Sequence, residues 1–323
     1  MTMNPQTTLS TLGQIPPQTP GLEYYKKRTH VSITSLTACA RCPLKFFFSS
    51  GCRLEPTRPA PWFPFGEAIH GALPHALLGD MERAIEVFDF VWDSTQEDAK
   101  HSKGLALLML NDAVAHYRTA WWEIAEPPQG KQDLGPRVNE YEVPWAVDLG
   151  LDVPLVGRTD WMCYTPADDE LCPNELKTAS QMGPSFFHGF KRNPQIIANV
   201  IAAKLMGCKC SKAVLTVMRK STRRTETVSQ PIGVTDLAIE QFIKWARETT
   251  INLLAAEEAG IFQPKISACT SYPEFGNAGF PCDFDQLCDF RDWTQAKQYY
   301  NIGGDKTFEL HKLRVMKVEE LSK

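Results

Sequence analysis

Two stretches decide how this chain is read: Pro154-Leu-Val-Gly-Arg-Thr-Asp160 and Glu170-Leu-Cys-Pro-Asn-Glu-Leu-Lys-Thr178. Both are rich in β-favouring residues, and Pro166-Ala-Asp-Asp169 between them is a turn signal. Strands are predicted over residues 138–147, 155–164 and 170–177. Side chains two apart in a strand leave the same face, so Glu175 and Lys177 point together. A hairpin connection then places Asp160 beside Glu175. Two converging carboxylates with a lysine next to them suit a hard divalent cation and a phosphate, because Mg²⁺ prefers oxygen ligands. Water on such an ion is acidic enough to attack phosphorus. Lys177 would orient that water or neutralise charge building on the phosphoryl oxygens. Taken alone, Asp-x14-Glu-x-Lys also arises by chance in unrelated chains.

Outward from these strands the pattern alternates. Upstream, Ser32-Ile-Thr-Ser35 precedes a helical run through Phe48, with Ser32 and Ser35 as candidate caps. A second helix is predicted from Phe65 through His70 to Leu73, ending near Pro74. Residues 80–126 read as a helical insertion, with Ala84, Val87, Phe88 and Val91, then Leu105, Leu108, Met109, Ala113 and Tyr117, at three- and four-residue spacing. Pro127-Pro128-Gln-Gly130 breaks that run. Downstream, a helix is expected over 194–206, strands over 213–219 and 225–231, and a long helix capped by Thr235 and reaching Ala259. Strands and helices in this order make a mixed α/β core. The Pro-, Thr- and Gln-rich residues 1–29 read as a flexible leader.

Composition narrows the class. The chain has 323 residues, 43% apolar, with a net charge of -4, which suits a globular protein with one large core. That charge weighs against a broadly basic nucleic-acid-coating surface, though a local basic groove remains compatible with it. No stretch approaches a membrane span; the longest apolar run, 196–206, carries Asn199 and Lys204. The N-terminus lacks a basic start and an apolar core, so no export signal is expected and a cytoplasmic location is. Ten cysteines in that setting favour metal binding over disulfides.

The spelling Gly157-Arg-Thr-Asp160 followed by Asn174-Glu-Leu-Lys-Thr178 resembles the signature of the PD-(D/E)XK nuclease superfamily in its RecB-like branch. Three further matches fall in the family's order. Cys42-Pro-Leu-Lys-Phe-Phe-Phe48 looks like its N-terminal Cys-Pro-x-Lys/Arg-aromatic helix. Phe65-Gly66-Glu-Ala-Ile-His70 resembles its Gly-x3-His segment, and Gln195 matches the glutamine of its Gln-x3-Tyr motif. The resemblance covers roughly residues 31–290 and is specific because the order holds. It implies a restriction-endonuclease-like mixed sheet core flanked by helices, with an N-terminal helical insertion. It also implies that His70, Asp160, Glu175 and the Leu176 carbonyl ligate Mg²⁺ or Mn²⁺. Lys177 would act on the nucleophile, and Gln195 would steady the site or the DNA. Asn199 departs from the pattern, standing where the family usually has tyrosine, and this puts the DNA-contacting role of that helix in doubt.

The outer cysteines form a second pattern. Cys42 stands far upstream of Cys269, Cys282 and Cys288, and four thiolates from distant parts of a chain can hold an iron–sulfur cluster. Iron–sulfur members of the RecB-like branch combine one N-terminal cysteine with three C-terminal ones, so the resemblance implies a [4Fe-4S] cluster on these four. Cys269 lies farther from Cys282 than their usual spacing. Zinc or buried free thiols are the alternatives, and Cys39 competes with Cys42 as the N-terminal ligand. The expected division is therefore a leader over 1–29, a nuclease domain over 30–300 with its cysteine segment at 264–290, and a tail over 301–323. The function implied is a DNA exonuclease acting on single-stranded ends in recombination, repair or phage DNA processing, with a helicase or integrase as a possible partner. A CRISPR-adaptation trimming nuclease and a non-catalytic iron–sulfur DNA-binding subunit of a helicase–nuclease complex are the alternatives.

Overall fold

The computed structural model describes residues 28–57, 62–92, 101–125, 142–221, 224–263, 265, 284, 300–302, 310 and 313–322. Most of the expected leader, the strand start at Val138, and Cys269, Cys282 and Cys288 lie outside the described residues. From the N-terminus come β1 (Val31–Ser32), α1 (Ile33–Arg41), α2 (Pro43–Phe46), a π-helical turn (Phe47–Gly51) and β2 (Leu54–Pro56). Helices α3 (Trp62–Leu77), α4 (Met81–Val91) and α5 (Lys103–Tyr117) follow. Next are β3 (Glu123–Ala125), β4 (Val143–Asp148), β5 (Leu155–Thr159), β6 (Trp161–Thr165) and β7 (Glu170–Ala179). Helices α6 (Pro184–Phe190) and α7 (Pro194–Leu205) lead to β8 (Lys212–Arg219), β9 (Glu226–Gly233) and α8 (Asp236–Ala259). Last come β10 (Tyr300–Ile302), β11 (Val315–Lys317) and a 3-10 helix (Val318–Ser322). The chain divides into two compact units, residues 1–59, 148–155 and 241–312 in one, and 60–147, 156–240 and 313–323 in the other.

In the first unit, Ser32 caps α1 by accepting the Ser35 backbone N–H at 3.1 Å, which settles the choice between the two serines. Phe46, Phe47 and Phe48 are buried. Phe47 stacks on Phe262 with ring centroids 4.7 Å apart, and Phe48 meets Phe284 at 5.7 Å. Core packing claims all three rings, because each buries a large apolar area. The Arg28 guanidinium lies 4.4 Å from the centre of the Phe46 ring and pairs with Glu257. Strand β2 pairs antiparallel with β10, Leu54 opposite Ile302.

The second unit is built on a five-stranded sheet in the order β3-β6-β7-β8-β9. Strands β6 and β7 are the expected hairpin, Trp161 opposite Asn174, and β8 and β9 form another. Between the hairpins, β7 and β8 run parallel, Glu175 beside Leu215 and Lys177 beside Val217. A parallel pair needs a long crossover, and α6 and α7 supply it. Strands β5, β4 and β11 lie side by side in a further sheet. Helix α7 is buried along most of its length, from Ile196 to Ala203, so its apolar run belongs to the core.

Four expectations need correction. The helix from Phe65 does not stop at Pro74 but runs to Leu77, with Pro74 inside it. A proline so close to the end removes one N–H from the ladder, and burial of Leu73, Ala76 and Leu77 holds the last turn. The helical run expected to Glu126 ends at Tyr117; Trp122 then packs against Tyr117 at 5.4 Å and Glu123–Ala125 pairs with β6. Leu108 is exposed, while Leu105, Ala106, Met109, Leu110 and Ala113 form the buried stripe of α5. The single strand expected over 155–164 is two strands, broken by a bend at Asp160. No helix among the described residues is long and apolar enough to cross a membrane.

Candidate active site

The bend at Asp160 creates the site. Strand β6 pairs with β7 only as far as Asn174, while β8 accompanies β7 on to Ala179. Beyond Asn174, β7 therefore has one open edge. Asp160 occupies it: its Oδ2 accepts the Leu176 backbone N–H at 2.7 Å. The N–H and C=O of one strand residue face the same side, so the Leu176 carbonyl also faces this open edge. Glu175 is 1% exposed, and its Oε1 accepts from the Lys177 ammonium, as the two-residue spacing predicts. Helix α3 passes close to β7, since a β-carbon added at Gly66 would stand 3.6 Å from Thr178 Oγ1. One turn further along the same face, His70 brings its Nδ1 to 3.5 Å from Asp160 Oδ1. His70, Asp160, Glu175 and Lys177 are thus gathered in one place.

The sequence profile of the PD-(D/E)XK nuclease superfamily matches residues 30–293, most of the 323-residue chain. The chain belongs to this superfamily. Membership makes it a nuclease by descent, and PD-(D/E)XK nucleases generally use Mg²⁺ or Mn²⁺. Its fold is the restriction-endonuclease-like one, mixed sheets flanked by helices. Among matching solved structures, a crystal structure provisionally named an exonuclease, from Eubacterium rectale, is 10% identical. That alignment covers 82% of this chain and 90% of the other, with a TM-score of 0.47. The structure of SSO0001 is 13% identical over 72% of this chain and 80% of its own, with a TM-score of 0.31. No curated protein matches the chain.

Around the PD-(D/E)XK residues the charges are mutually adjusted. Burial pushes the Glu175 carboxyl up from 4.5 to about 7, with the neighbouring Asp160 charge adding to the effect and Lys177 opposing it. Burial also works against charge on Asp160, but His70, Lys177 and the Leu176 N–H together hold its carboxyl below the ordinary range. The same carboxylates outweigh desolvation at Lys177 and His70, raising both and keeping the ammonium charged. Glu142, just before β4, feels the same field. Its carboxyl is pushed up mainly by burial, although Arg158 pairs with it at 3.2 Å.

Among the described residues, no group of three His, Cys, Asp or Glu side chains is arranged to hold an ion, because the donors here are paired with one another. The donor chemistry nevertheless fits a hard cation: two carboxylates, an imidazole and a carbonyl on an open strand edge. Gln195 sits in the first turn of α7, half-buried, its backbone N–H donated to Asn193 Oδ1 at 2.9 Å. Its side-chain amide bonds none of the four clustered residues.

A contact that motif reading missed lies one turn on. Asn199 Nδ2 donates to Glu175 Oε2 at 3.2 Å, and Asn199 Oδ1 accepts the Trp145 indole N–H at 3.0 Å. All three side chains are buried. The spacing of Gln195 and Asn199 on one helix face was the available signal; Trp145, 54 residues away, offered none.

The raised Glu175 carboxyl carries a pH consequence for the nuclease without divalent cation. Between pH 4.5 and about 7 the folded chain keeps a proton that the unfolded chain has released, so stability falls as pH rises through this window. His70, with its folded pKa raised, acts in the same direction: its contribution is full below the ordinary value and lost above the raised one. Asp160 acts oppositely, but its gain is complete once the pH is well above its ordinary value of 3.8. Thermal melts in a chelating buffer should therefore show a lower Tm at pH 8 than at pH 5.5, and Glu175→Gln should flatten the difference. A wild-type Tm that climbs over this range would contradict the assignment.

Proposed function

We propose that this chain is a Mg²⁺- or Mn²⁺-dependent deoxyribonuclease of the RecB-like branch. It would act as an exonuclease on single-stranded ends in recombination, repair or phage DNA processing. The observation that carries the reading is the gathering of His70, Asp160, Glu175 and Lys177 at the open half of β7. His70, Asp160, Glu175 and the Leu176 carbonyl would hold the cation. Bound there, the cation supplies a more acidic water and charge neutralisation at phosphorus. Lys177, kept charged by two carboxylates, leaves the strand on the same face as Glu175 and would stabilise negative charge building on the scissile phosphate. Gln195, at the start of α7, would steady the site or the DNA, and the proposed nuclease domain covers residues 30–300. Digestion of end-labelled single- and double-stranded DNA with Mn²⁺ tests the reading. Wild type should shorten single strands from their ends and Glu175→Ala should not; undiminished cleavage by that variant rejects it.

A [4Fe-4S] cluster on Cys42, Cys269, Cys282 and Cys288 belongs to the same proposal. In its support, Cys42 is buried at the N-cap of α2, and its Sγ accepts backbone N–H groups from Lys45 and from Lys265, each at 3.5 Å. Lys265 stands four residues before Cys269, so the chain returns to Cys42 as its C-terminal cysteine segment begins. Cys39, whose thiol burial pushes up to about 11, is the competing N-terminal ligand. Replacing Cys282 or Cys288 by serine should remove iron, sulfide and visible colour from anaerobically purified protein and lower its Tm. A colourless variant with an unaltered Tm would count against the cluster as a clasp.

A further inference from the structure

Asn199 breaks the family pattern at a position that the fold uses closely. An indole N–H can only donate, so Trp145 requires the carbonyl end of the Asn199 amide to face it. The NH₂ end is thereby aimed at Glu175 Oε2. A reversed amide would set oxygen against carboxylate oxygen and leave the buried indole donor without an acceptor. With Lys177 on Oε1 and Asn199 on Oε2, both carboxylate oxygens are tied and the Glu175 side chain has one orientation. Trp145 is fixed in turn from below: a β-carbon at Gly157 would lie 2.2 Å from its Cζ2, so the ring lies directly against the strand backbone.

We infer that Asn199, oriented by Trp145, is the positioning residue that holds Glu175 in its cation-binding orientation. This rests on the reading of Glu175 as a cation ligand. Where the family motif has a tyrosine, this chain has an amide on the buried face of α7 that joins an indole on β4 to the strand carboxylate. Partners that orient metal ligands are each typically worth about 10- to 100-fold in metal affinity.

The test is Mn²⁺ binding by calorimetry, without DNA, to wild type, Glu175→Ala, Asn199→Leu, Trp145→Phe and the Asn199→Leu/Trp145→Phe double variant, with Tm recorded for each in chelator. Leucine keeps the branched shape of asparagine, though it is bulkier, and can neither donate nor accept a hydrogen bond. Asn199→Leu should bind Mn²⁺ about 10- to 100-fold more weakly. Trp145→Phe should lose part of that, and the double variant should bind no worse than Asn199→Leu, because the indole acts through the amide. Raising Mn²⁺ should restore cleavage in Asn199→Leu but not in Glu175→Ala, a rescue that a merely structural role would not give. Wild-type Mn²⁺ affinity in Asn199→Leu, with binding still sensitive to Glu175→Ala, overturns this inference alone. Should Asn199→Leu fail to fold, wild-type affinity in Trp145→Phe overturns it equally. Mn²⁺ binding untouched by Glu175→Ala overturns the cation-site reading and this inference with it.

Discussion

Lys177→Met is expected to slow DNA cleavage at saturating Mn²⁺ by roughly 10²- to 10³-fold, a loss that further Mn²⁺ does not restore. Methionine matches the length and apolar stem of lysine but cannot stabilise charge. The ammonium pairs with Glu175 Oε1 and is kept protonated by Glu175 and Asp160 against the cost of its burial. It is therefore already charged and in place before substrate arrives, the condition under which a fixed cation contributes most to a transition state. Glu175→Ala should behave differently, losing cation affinity and cleavage together. Single-turnover cleavage beside Mn²⁺ calorimetry separates the two variants. A Lys177→Met enzyme within about threefold of wild type would mean that the ammonium serves folding rather than chemistry, since removal of one such donor costs far more.

Gly157→Ala should be the most damaging small substitution in the second unit. The added β-carbon would stand 2.2 Å from Trp145 Cζ2 and 2.7 Å from Cε2 and Cη2, well inside contact distance. Trp145 is almost fully buried and its N–H is committed to Asn199, so the ring cannot swing aside without breaking the contact with Glu175. Overpacking of this kind costs about 1–3 kcal/mol, sometimes more. Thermal and urea unfolding measure it. Gly189→Ala is the control, because nothing lies within 4 Å of a β-carbon there. As a helical position, it should be stabilised by up to about 1 kcal/mol. Equal melting of the two variants would show that the strand can move away from Trp145.

The strands of the candidate site were legible because a local rule governs them. Glu175 and Lys177 share a face by the two-residue period of a strand, and the hairpin register, ending at Trp161 opposite Asn174, brings Asp160 to the Leu176 N–H. The Ser32 and Thr235 caps were legible for the same reason, each acting over three residues. What escaped reading depends on partners far apart in sequence. Asn199 looked like a lost DNA contact because its bond to Trp145 spans 54 residues. Strand β3 looked like the end of a helix because only the vacant edge of β6 makes Glu123–Ala125 extended. The bend at Asp160 was hidden because β5 and β6 have the same β-rich composition on both sides of it.

That bend leaves the nuclease little freedom to gain robustness at its own centre. Where a neighbouring strand would ordinarily complete the ladder, the Asp160 carboxylate takes the Leu176 amide instead, so on the proposed reading one side chain serves as masonry and as reagent. Asp160→Ala would therefore strip an amide of its acceptor and, if Asp160 is the cation ligand proposed above, should be at once inactive and more fragile. Changes that harden this protein should accordingly work elsewhere, for instance in α5 or the β8–β9 hairpin, rather than by removing Asp160.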